Sequence, residues 1–148
     1  MSEAITVDEV LPHAPALVWR AITTPALIAR WIRMQPTGFV AEPGTRFTFQ
    51  TTPAGAWDGT IHCEVLEEIP HARLVFSWRG GHEANTGYGS LLDTQVTFTL
   101  AAHEGGTHLT IVHAGFDLPR NQSALTTMGG GWTDVATRIA AIAGEDEA

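Results

Sequence analysis

Residues 125–142, LTTMGGGWTDVATRIAAI, decide how the whole chain is read. Leu125, Met128, Trp132, Val135, Ile139 and Ile142 recur at three- and four-residue spacing, which places them on one stripe of a helix. Such a stripe needs a broad apolar partner. Working back from it, the chain offers Phe47 and Phe49, Ile61 and Cys63, Phe76 and Trp78, Val96 and Phe98, Leu109 and Ile111, each pair separated by one residue. Period two is the mark of strands with one buried face. A helix laid on a curved sheet with this many rings either packs solid or encloses a pocket for an apolar guest.

Further back, Ile5 and Val7 alternate with polar residues in a first strand that ends before Pro12. Pro15 opens a helix with Val18, Trp19 and Ile22 on its face, and Thr24-Pro25 ends it and starts a second one carrying Leu27, Ile28, Trp31 and Ile32. Two short helices joined at a proline form a bent pair. From Gly38 to Gly115 turn residues such as Pro43-Gly44 and Gly105-Gly106 separate about five more strands, and the short connections favour antiparallel neighbours. Residues 79–90 read as the longest loop, capping an end of the sheet. Gly129, Gly130 and Gly131 allow two accounts, because glycine inside a helix costs up to about 1 kcal/mol. Either they form a junction before a helix that begins near Trp132, or they leave room for a ligand or a close sheet.

A length of 148 residues suits one domain over 1–148, and 44% hydrophobic against 16% charged residues argues against disorder. The formal net charge of −8 repels phosphate backbones and anionic surfaces, so no nucleic acid and no membrane is expected as a partner. No stretch is apolar enough to span a bilayer, and no leader is evident at the start. The single cysteine, Cys63, allows no internal disulfide and points to a reducing, cytoplasmic setting.

The order strand, two short helices, antiparallel meander and C-terminal helix is that of an α+β helix-grip fold. Several stretches resemble bacterial proteins similar to the activator of the heat-shock protein 90 ATPase, within the superfamily of START domains and the birch-pollen allergen. They are residues 15–23 with Leu27 and Trp31; Gly59 with Glu64-Val65-Leu66-Glu67; residues 70–78; residues 106–116; and Gly131-Trp132. The resemblance covers nearly the whole chain. It implies a curved sheet gripping the last helix, an apolar cavity between them and an entrance near the short helices. The glycine-rich residues 79–93 depart from it, being longer than the compact hairpin the family suggests.

The candidate wall on this frame consists of Phe47, Phe49, Ile61, Cys63, Phe76, Trp78, Val96, Phe98 and Ile111 on the sheet, facing Met128 and Trp132. The plainer reading makes each of them ordinary core. His113 falls on the same register and, with Tyr88, would give a ligand polar direction; it is also the candidate acid or base. Its structural alternative is a bond to backbone or to a helix residue such as Thr133 or Thr137. The remaining histidines have no metal-ligand spacing, so neither a metal nor another cofactor is expected. No nucleophile elbow, phosphate loop or dinucleotide fingerprint occurs.

Three functions follow as expectations. The first is binding of a hydrophobic or aromatic small molecule in a cavity of several hundred cubic ångströms. The second is an enzyme in the manner of polyketide cyclases and aromatases, with His113 as its acid or base. The third, from the family resemblance alone, is a chaperone-interaction domain. A homodimer is neither selected nor excluded by the strand registers.

Overall fold

The computed structural model describes residues 2–145. Strand β1 (Ser2–Leu11) is followed by helices α1 (Pro15–Thr23) and α2 (Pro25–Ile32). Thr24 sits between the helices in an extended conformation, as a residue before proline prefers, so the break falls there. Arg33, left-handed at φ 63°, ends α2. The meander then runs through β2 (Arg46–Gln50), β3 (Thr60–Ile69), β4 (Arg73–Gly80), β5 (Leu92–His103) and β6 (Gly106–Asp117) to α3 (Gln122–Glu145).

All neighbours are antiparallel, in the order β1-β6-β5-β4-β3-β2. The first strand therefore lies beside the last, and α1, α2 and residues 33–45 carry the chain across to the far edge. That connection is longer than the glycine-rich loop between β4 and β5. Alternation of burial from Leu92 to Leu100 in β5 and from Thr107 to His113 in β6 gives the sheet one inward face. A bulge between Val65 and Glu67 shifts the register of β3 against β4 and leaves Leu66 exposed.

Helix α3 packs on β1, β6, α1 and α2. Trp132, Val135, Ala136, Ile139, Ile142 and Ala143 are its buried residues, all on the predicted stripe or adjoining it, whereas Leu125 and Met128 are only half-buried. The glycine triplet differs from two of the readings the sequence offered. Gly129, Gly130 and Gly131 lie inside one continuous helix, and a side chain at any of them would meet nothing within 4 Å. They are neither a junction nor a close approach to the sheet. Packing of the flanking turns outweighs the weak propensity of three glycines.

Candidate functional site

Two loops and the first turns of α3 determine what lies beneath the helix. Asn121 is buried at the helix start, where an asparagine ordinarily suggests a cap. Its side chain works outward instead: Nδ2 donates to Ser90 Oγ at 3.0 Å and to the Leu91 carbonyl at 2.8 Å, while Oδ1 accepts from the Asp117 N–H. The loop of residues 81–91 is thereby tied to α3. It is tied equally to the loop of residues 51–59, through Asn85 Nδ2 to the Ala54 carbonyl at 2.7 Å and Tyr88 Oη to the Thr52 carbonyl at 2.8 Å. At Gly81, φ +75°, a Cβ would stand 2.1 Å from the Ser90 carbonyl oxygen, so only glycine lets the loop close on itself. The loops prop up the N-terminal half of α3 and leave a hollow under it.

This hollow is an apolar cavity of about 140 Å³, and Ile61, Trp78, Tyr88 and Met128 of the sequence candidates line it. Met34, Trp57 and Leu92, which the sequence did not single out, complete its apolar wall. Trp57 stacks obliquely on Tyr88 at 6.0 Å between ring centres. A second, more open hollow of about 200 Å³ lies beside it, lined by Trp78, Met128 and Trp132 together with Ile32, Met34 and Arg138. Each is smaller than the several hundred cubic ångströms expected.

The other candidates line neither hollow. Phe47, Phe49 and Phe76 pack edge to face at 5.4–5.6 Å around a gap too small for water. Val96, Phe98, Ile111 and Cys63 are buried in the same core. Burial pushes the Cys63 thiol well above its ordinary pKa, which removes thiolate chemistry at neutral pH.

His113 is fully buried at the centre of a hydrogen-bonded chain. Trp132 Nε1–H donates to His113 Nδ1 at 3.0 Å, so the imidazole proton resides on Nε2 and is donated to Thr94 Oγ1 at 2.7 Å. The Thr94 hydroxyl in turn donates to the Trp78 carbonyl at 2.9 Å. The helix partner is therefore Trp132 rather than Thr133 or Thr137. Desolvation lowers the imidazole pKa to about 3, which keeps it neutral. A general acid or base needs a nitrogen within reach of a reactant; here both are engaged inside the protein.

One polar atom breaks this economy. Trp78 is 4% exposed, lines both hollows, and its Nε1–H is the buried side-chain donor without an acceptor among the described residues. An unmade buried hydrogen bond costs about 1–3 kcal/mol. No group of three His, Cys, Asp or Glu side chains among the described residues is placed to hold a metal ion, and no helix among them is long and apolar enough to cross a membrane.

The curved six-stranded antiparallel sheet, paired short helices and long C-terminal helix define the START-like helix-grip class. Within it, the chain belongs to the family of activator of Hsp90 ATPase homolog 1-like proteins, matched over residues 12–144. Protein MLL2253 from Mesorhizobium loti is 29% identical, with a TM-score of 0.80 over 95% of this chain and 96% of that one. CalU16 from Micromonospora echinospora is 23% identical with a TM-score of 0.72, over 99% of this chain and 79% of its own. BH1534 from Bacillus halodurans is 24% identical with a TM-score of 0.70, over 95% and 96%. The last two share the fold alone at such identities. No curated protein matches.

Proposed function

We propose that the protein binds a small hydrophobic, ring-sized molecule beneath the N-terminal half of α3, with no resident cofactor. One observation carries this reading: an apolar cavity walled by Trp57, Trp78 and Tyr88, one of whose rings bears an unpaired buried N–H. Size supports it, since an engineered apolar cavity of about 150 Å³ stays dry and takes up benzene. The Trp78 N–H is closed off from the hollow, so a guest bearing an acceptor engages it by displacing the ring. Turnover is no part of the reading, because His113 faces neither hollow and spends both nitrogens on the fold.

The test is titration with toluene, which offers no acceptor, and benzaldehyde, which does. Wild type is expected to bind both and to prefer benzaldehyde; Trp78→Phe, which removes the donor but no hydrogen bond of the protein, is expected to lose the preference. A protein that binds neither compound overturns the reading.

A further inference from the structure

The second hollow adds a charge to the first. Met34, Trp78 and Met128 belong to the walls of both. The two methionines are half-buried, and their unbranched side chains are the most readily displaced kind of apolar wall. The wall of the second hollow also includes Arg138, whose Nη1 donates to the Trp31 carbonyl at 3.0 Å. Among the described residues no carboxylate pairs with it. The contrast with its fellows is sharp: Arg30, Arg46, Arg73, Arg79 and Arg120 each sit on an Asp or Glu. In a chain with sixteen acidic and eight basic side chains, a half-buried guanidinium without an acid partner is conspicuous. Gly131 lines the same hollow, and the space where its side chain would stand is open.

We infer that the two hollows are the ends of one site that takes a carboxylic acid carrying an aromatic ring on a short alkyl chain. The ring occupies the first hollow, the chain passes between Met34 and Met128, and the carboxylate meets Arg138. Together the hollows reach the lower end of the usual range for small-molecule sites, roughly 300 Å³. A guanidinium fork recognises a carboxylate through paired charge-assisted hydrogen bonds, and the net negative charge of the chain makes a local cation necessary for an anionic guest. The inference rests on the first hollow being a binding site, as proposed above.

Calorimetric titration of phenylpropanoate, phenylhexanoate and phenyloctanoate against the matching phenylalkanols tests it. Wild type is expected to prefer each acid by about tenfold or more, with affinity greatest at the chain length that bridges the hollows. Arg138→Gln is expected to abolish the preference by weakening the acids at least about tenfold more than the alcohols, and Arg138→Lys to restore part of it. Equal affinity for acids and alcohols in wild type, which needs no variant to fold, overturns the inference while leaving the cavity reading intact. A preference that survives Arg138→Gln overturns it too. Failure of every compound, toluene and benzaldehyde included, defeats the cavity reading and this inference together.

Discussion

The two halves of α3 share one apolar stripe but lie over different floors. From Trp132 onward the stripe is buried against β1, β6 and the short helices, with Ile139 and Ala143 fully enclosed. Before the glycine triplet, Ala124, Leu125 and Met128 are half-buried, and the first and last of these look into a cavity. Amphipathic spacing reports which side of a helix turns inward. It says nothing of how far away the opposing surface is. Here that distance is set by loops 51–59 and 81–91, which hold the helix up at one end.

Substitutions in the two halves should therefore differ most. Ile139→Ala is expected to cost about 2–5 kcal/mol, the usual range for a fully buried aliphatic side chain. Met128→Ala, already beside empty space, should cost less than half as much. Chemical denaturation of both variants measures this, and equal losses would erase the distinction.

The His113 chain joins the packed half to the sheet, and acid probes it. The imidazole has a folded pKa of about 3, below its unfolded value of about 6.5, so the unfolded chain takes up the proton first. Stability is complete above about pH 6.5 and falls by about 1.4 kcal/mol per pH unit as acid is added, until the folded protein also titrates. Unfolding of wild type and His113→Gln across that window should show the steeper slope in wild type; parallel curves would place the acid sensitivity elsewhere.

The triplet that divides the halves gives a smaller effect of opposite sign. With open space at each Cβ position, Gly129→Ala and Gly130→Ala should each stabilise the protein by about 0.5–1 kcal/mol. A loss in thermal midpoint would mean that the helix does not run unbroken through the triplet. Smallest of all is the exposed ion pair of Arg30 with Glu145 near the far end of α3. Arg30→Ala should leave the midpoint within experimental scatter at physiological salt, as exposed pairs usually do.

Much of this architecture was legible because it is repetitive. Alternation in Phe76 and Trp78 or Val96 and Phe98 survives any detail of register, and Thr24-Pro25 breaks a helix for steric reasons that need no tertiary context. The site was less legible because it depends on contacts between distant segments. Trp57 and Tyr88 stand in separate loops that meet through Asn85 and Tyr88 hydrogen bonds and through the contact of the two rings. Asn121 drew no attention in the sequence, because its bonds reach Asp117, Ser90 and Leu91 rather than the helix it precedes. His113 was visible by its register; its partner Thr94 was not, since β5 and β6 pair Val96 with His113 and place Thr94 diagonally across the ladder. Continuity through three glycines could not be read from propensity at all.

The pairing of β1 with β6 also bears on how the chain is made. Val7 lies opposite Ile111, so the first strand must wait for roughly a hundred more residues, about 5–20 s of synthesis at typical rates. Strands β2 to β5 find their neighbours in sequence and need no such delay. On a ribosome stalled before β6 has emerged, limited proteolysis should cut within residues 2–11 and spare the meander; protection of that segment at this stage would show that another partner shelters it in the interval.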